Sequence, residues 1–91
     1  MLHLRKQGTH IAALQVGAAG WEVIMRAFAE HLTQAREERG MSQRELARRV
    51  GVNSETISRY ERGLKEPMLK SLVALAQELD CSIDFLVGLE N

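Results

Sequence analysis

Five polar side chains fall on one face if residues 54–62 form a helix: Ser54, Glu55, Ser58, Arg59 and Arg62. Their chemistry is recognition by hydrogen bonding. Two small hydroxyls permit close approach, a carboxylate accepts, and the planar arginine fork matches two parallel acceptors. Guanine presents such an acceptor pair in the DNA major groove, and cytosine N4 presents the donor that a carboxylate needs. Thr56, Ile57 and Tyr60 take the opposite side and pack. A merely solvated helix more often carries long Lys and Glu side chains, although Glu55 and Arg59, at i and i+4, would also suit a weak surface ion pair.

The segment from Ser42 to Gly63 supplies what would position that face. Ser42 followed by Glu45 reads as a capping box that opens a helix. Leu46, Ala47 and Val50 fall on its inner side, Gly51 ends it in the left-handed conformation, and Asn53 caps the next helix. Two short helices joined by a three-residue turn are the geometry that carries a second helix into a major groove.

On these residues the chain closely resembles the phage-repressor and Cro type of helix-turn-helix family, also called XRE-like regulators. Ala47, the Gly51-Val52 turn, Ile57 and the Glu61-Arg62-Gly63 ending all match, and the resemblance runs from Phe28 to about Leu89. It implies an all-α, five-helix, lambda-repressor-like DNA-binding bundle. Met25, Phe28, Leu32 and Ala35 would form the core stripe of a first helix, and Leu69, Leu72, Val73, Ala76 and Leu79 that of a fourth. Pro67 is expected in the first turn of that fourth helix, and Ser82 at the cap of a short fifth containing Ile83, Phe85 and Leu86.

The resemblance also implies roles. Ser54, Glu55, Ser58 and Arg59 are expected at base edges, and Gln43, Asn53, Arg62 and Lys65 at phosphates. Glu55 departs from the family, which often carries a neutral amide or hydroxyl there. Arg36 and Glu61 are expected to form a structural ion pair behind the recognition helix. Family members often dimerise through the C-terminal region, where Phe85, Leu86 and Leu89 offer apolar surface.

Length and charge set bounds. Ninety-one residues suffice for one modest core. The formal net charge is zero, which predicts modest nonspecific affinity for DNA. Between Arg36 and Glu66, however, eight basic residues stand against six acidic ones. The single cysteine, Cys81, reads as a buried structural thiol. His3, His10 and His31 do not join it at any metal-site spacing, and no Ser, His and acid set suggests a nucleophile, so neither enzyme activity nor a cofactor is expected.

Residues 1–24 are read as an N-terminal extension ahead of a domain spanning 25–91. Arg5 and Lys6 precede an apolar run, Ile11 to Ala19, that superficially resembles a secretory leader, but Gln15, Gly17 and Gly20 interrupt it. Gly8 and Gly20 would bracket a short strand or helix over residues 9–19 that pairs with its counterpart in a second subunit, Ile11, Leu14 and Val16 making the extension a dimerisation arm; the plainer alternative is a frayed N-terminal extension.

Together these features imply a cytoplasmic, sequence-specific double-stranded DNA-binding regulator, acting as a dimeric repressor on an inverted-repeat operator. One short recognition helix reads too few base pairs to act alone. Two other readings remain open: an antitoxin that binds its own operator and masks a toxin with its extension, and a protein-interaction adaptor that keeps the fold without binding DNA. No segment is long and apolar enough to span a membrane.

Overall fold

The computed structural model describes residues 17–90, all of its regular structure helical: α1 Gly17–Glu38, α2 Gln43–Val50, α3 Ser54–Glu61, α4 Leu69–Leu79 and α5 Ile83–Leu86. The arm residues Ile11, Leu14 and Val16 lie outside the described residues. Helix α1 runs continuously through Gly20, which therefore brackets no separate element, and takes in residues 17–24 of the expected extension. One interior glycine costs only about 1 kcal/mol. The apolar contacts made farther along this 22-residue helix exceed that cost.

The core forms where the helix stripes converge. Phe28, Leu32, Leu46, Ile57, Leu75 and Leu86 are the largest fully buried side chains, each contributing about 2 kcal/mol by leaving water. Tyr60 joins them at 2% exposure, its ring edge-on to Phe28 with centroids 5.7 Å apart. Helix α4 is rotated from its expected phase. Leu72, Leu75, Ala76 and Leu79 turn inward, whereas Leu69 and Val73 are exposed. The inward set follows the i, i+3, i+4, i+7 spacing, and Leu75, outside the expected stripe, is fully buried.

Caps define the helix ends. Ser42 Oγ accepts from the Glu45 amide at 3.0 Å, so half of the expected capping box is present. The other half is not, because the Glu45 carboxylate instead accepts from Arg48 and Arg49, each at 2.7 Å. Those two guanidiniums hold the Glu45 carboxyl below its usual range, Arg49 contributing most. Ser82 caps α5 as expected, accepting from the Phe85 amide at 2.9 Å. Pro67 does not start α4. It lies just before the N-cap, Met68, whose apolar side chain makes no capping bond.

Helix α5 is held to α1 more closely than its length suggests. His31 stacks on Phe85, with centroids 4.6 Å apart and planes 14° from parallel, and its Nδ1 bonds the Phe85 carbonyl. A carbonyl can only accept, so Nδ1 carries the proton. Leu86 is fully buried, and Phe85 and Leu89 are half-buried. Leu86 and Phe85 of the fifth helix thus pack on the core, and Leu89, just beyond it, stays half-buried. Gly88 follows at φ 81°, where an added Cβ would lie 2.7 Å from the Ala27 Cβ. Cys81, expected to be buried, is half-exposed in the turn between α4 and α5, and partial burial pushes its thiol pKa upward.

One ionic contact ties α1 to α3. Arg36 Nε donates to Glu61 Oε2 at 2.6 Å and its Nη2 to Oε1 at 3.0 Å, while Nη1 donates to the Met41 carbonyl at 2.7 Å. The two side chains are 12% and 6% exposed. The bond to Glu61 raises the Arg36 pKa against the opposing effect of burial. Removing either partner leaves a charge in a place water barely reaches. Arg36→Ala and Glu61→Ala are each expected to cost about 3 kcal/mol in urea unfolding. Lys65→Ala, at an exposed site, should stay within ~0.5 kcal/mol of the parent.

The glycines offer a second stability test. Gly40→Ala, at φ 68° with nothing within 4 Å of the added carbon, should cost about 1 kcal/mol of backbone strain. Gly88→Ala should lose a further ~1 to 3 kcal/mol through overpacking against Ala27, read as a lower thermal midpoint.

Candidate nucleic-acid interface

Helices α2 and α3 are joined by Gly51, Val52 and Asn53. Gly51 sits at φ 80°, a left-handed conformation that glycine adopts without penalty, and its amide and that of Val52 both close onto the Ala47 carbonyl at 3.0 Å. The chain then reverses into Asn53, whose Oδ1 accepts from the Thr56 amide at 2.8 Å and from the Thr56 hydroxyl at 2.9 Å. The Asn53 oxygen is thereby committed to the cap, which leaves its NH2 as the group free to donate.

Leu46 and Ala47 of α2 and Ile57 and Tyr60 of α3 anchor the two helices on the core. The outer side of α3 consequently faces away from the protein. Ser54, Glu55, Arg59 and Arg62 are exposed there and Ser58 is half-buried. Asn53 and Lys65 are exposed at the two ends of the same stretch.

This surface carries its own internal bonding. Arg59 Nε donates to Glu55 Oε2 at 3.3 Å, and Arg62 Nη2 reaches the same oxygen at 3.4 Å. Arg62 Nε also donates to the Ser58 hydroxyl at 3.2 Å. All three charged side chains are more than half exposed.

Gln43 holds a different position from the rest. Its Nε2 donates to Glu61 Oε1 at 2.9 Å, joining the first residue of α2 to the Arg36–Glu61 pair and so to the end of α3. The amide NH2 has a second hydrogen for an outside acceptor. Beside it, Arg44 is exposed and forms no ion pair among the described residues. A basic residue on a short helix carries no signal of its own in sequence, and for Arg44 adjacency to Gln43 is the one available clue.

Trp21, Met68 and Leu69 are exposed by 45%, 71% and 73%. Trp21 and Leu69 line a cleft of about 240 Å³ between the first half of α1 and the start of α4, together with Ile24, Met25, Leu72 and Val87. Glu66 is its one charged lining residue. Among the described residues no helix is long and apolar enough to cross a membrane, and no cluster of His, Cys, Asp and Glu is arranged to hold a metal.

Known proteins share this arrangement. The helix-turn-helix family matches residues 32–86. The uncharacterized HTH-type transcriptional regulator y4dL of Sinorhizobium fredii is 52% identical over 58 residues, covering 59% of this chain and 30% of that protein. Bacillus subtilis YqaE, another uncharacterized HTH-type transcriptional regulator, is 32% identical over 64 residues, covering 70% of this chain and 55% of its own. The chain thus spans from under a third to just over half the length of these relatives.

Among solved structures, the P22 c2 repressor, crystallised with a synthetic operator, superimposes with a TM-score of 0.67 at 33% identity, covering 69% of this chain and 96% of that one. The restriction-modification controller protein C.AhdI of Aeromonas hydrophila gives a TM-score of 0.65 at 29% identity, covering 68% and 94%. A capped α2, a glycine turn and a polar α3 mounted on an apolar core are common ground between sequence and structure, and the chain belongs to the phage-repressor and Cro type, the XRE-like branch, of the helix-turn-helix DNA-binding transcriptional regulators.

Proposed function

We propose that this DNA-binding regulator is a sequence-specific, dimeric repressor that acts in the cytoplasm on an inverted-repeat operator. The observation that carries the reading is the exposed polar face of α3, held outward by Ile57 and Tyr60 in the core and by the Arg36–Glu61 pair behind it. Ser54, Glu55, Ser58 and Arg59 meet base edges. Gln43, Asn53, Arg62 and Lys65 meet phosphates, joined by Arg44. Repression needs only occupancy, since a bound dimer covers the groove that another protein would use. The P22 c2 repressor's operator complex supports the reading by likeness of fold.

The pairing surface proposed for a second copy is the apolar cleft between α1 and α4. Its rim carries the exposed Trp21 and Leu69, whereas Leu86 of α5 is fully buried. Ile11, Leu14 and Val16, which precede α1 in the sequence, would widen the contact. Reading both halves of an inverted repeat requires two-fold pairing that sets the recognition helices roughly 34 Å apart, one turn of DNA.

Selection of bound fragments from random duplex DNA tests the whole reading. Recovery of an inverted repeat supports it. Absence of any salt-sensitive binding would favour the adaptor reading instead.

Within the selected site, Arg59→Ala should lose about 1 to 3 kcal/mol of discrimination at one base position. Gln43→Ala should weaken all sequences about equally in the same competition assay. A selective loss for Gln43→Ala would reassign it to base reading.

Leu69→Asp should shift the protein toward monomer in sedimentation while the circular dichroism remains helical, and deletion of residues 1–16 should do so in part. An intact protein that is monomeric at tens of micromolar, and that binds a half-site as tightly as a full repeat, would refute the dimer.

A further inference from the structure

The Glu55 carboxylate lies between two arginines assigned to DNA, bonding Arg59 at 3.3 Å and Arg62 at 3.4 Å through the same oxygen. A simple i, i+4 surface pair would engage one arginine. Here one acid serves residues one and two turns ahead along the outward face, so two unit charges meant for DNA share a single counterion before DNA arrives. Arg62 is further anchored by the Ser58 hydroxyl at 3.2 Å, which keeps the three charged groups together along the helix.

Resting on the DNA-binding reading above, we propose that Glu55 is a specificity-determining residue that acts mainly by exclusion. It holds Arg59 and Arg62 back from indiscriminate phosphate contact and releases them where the site offers its carboxylate a donor. The asymmetry is electrostatic. Against arbitrary DNA, the arginines must leave Glu55 to reach the duplex, and the uncompensated carboxylate then faces phosphates across a short distance. Against a site that presents cytosine N4 to Glu55, the carboxylate trades its arginine bonds for a base bond, and both guanidiniums become available to guanine or phosphate.

Discrimination obtained by penalising wrong sites needs no additional favourable contact. It also suits a chain whose net charge is zero. With no net charge to draw the chain to nucleic acid, a local carboxylate in the interface weighs heavily in the balance.

Other acids do not share this position. Glu61 is buried against Arg36, Glu45 is bound by Arg48 and Arg49 on α2, and Asp84 is exposed on α5. Asp84 therefore provides a control of equal charge on an element outside the recognition face.

The test is a salt titration of binding to a 30-base-pair random-sequence duplex, run on the full chain, on Glu55→Gln and on Asp84→Asn, followed by competition between that duplex and the selected operator. Glu55→Gln should raise affinity for the random duplex about tenfold. It should also steepen the slope of log K against log salt by about 1 to 2, as freed arginines reach phosphates. The preference for the operator should fall correspondingly, while Asp84→Asn changes neither quantity by more than about twofold.

Equal effects of the two substitutions would mean that only net charge matters and would overturn the proposal. So would an unchanged random-duplex affinity in Glu55→Gln, provided that the parent binds. If the parent shows no salt-dependent binding at all, the DNA-binding reading fails together with this one, so the two failures are distinguishable.

Discussion

The contact on which the arrangement depends is the paired bond between Arg36 and Glu61. Two guanidinium nitrogens meet two carboxylate oxygens, and the third donates to the Met41 carbonyl just ahead of α2. Glu61 also accepts from Gln43 at the start of α2. Three segments are thus registered on one almost dry ionic centre: the late part of α1, the entry to α2 and the last residue of α3. Apolar packing fills space but tolerates rotation, whereas a bidentate fork fixes angle as well as distance. A helix that is to hold its outer side chains at a fixed angle needs that definition, and desolvating two charges is what it costs.

The turn and the core complete what the ion pair begins. Gly51 lets the chain reverse within three residues, and Asn53 restarts it as a helix at a set angle. Ile57 and Tyr60 then fix the roll of α3, so that the faces half a turn away can only point outward. At the far side of the bundle, His31 and Gly88 draw α5 onto α1 and close the core beneath Leu86.

What could be read from residues alone followed the range of the physics involved. Caps and turns are local, so Ser42, Gly51, Asn53 and Ser82 were legible, and the three-residue turn with them. The phase of α4 was not. Leu69, Leu72, Val73, Leu75, Ala76 and Leu79 are apolar on more than one side, and tertiary packing selects which stripe turns inward. The same competition decided Glu45, which could serve either a backbone amide or two arginines, and the charged partners won. Gly20 misled for the complementary reason: a helix with enough contacts downstream carries a glycine through its first turns. The outward face of α3 was visible in sequence as a set of residues, but the shared oxygen of Glu55 depends on rotamers that no spacing rule supplies.

A chain with no net charge can still belong to a family of DNA-binding regulators because charge acts locally within a Debye length of about 8 to 10 Å. The three acids of the helix-turn-helix segment, Glu45, Glu55 and Glu61, are all bound to arginines of the same segment or of α1. The centre of that arrangement, Glu61, is buried, and Glu45 faces its partners along α2. Near the outer surface this leaves Arg44 and Lys65 as basic groups without an ion pair among the described residues, and Glu55 as the one acid on the exposed face of α3. Attraction to a polyanion is therefore restrained rather than abolished. On the proposed reading, binding strength then comes from complementarity over a few contacts, the condition under which a small DNA-binding domain distinguishes one site from many.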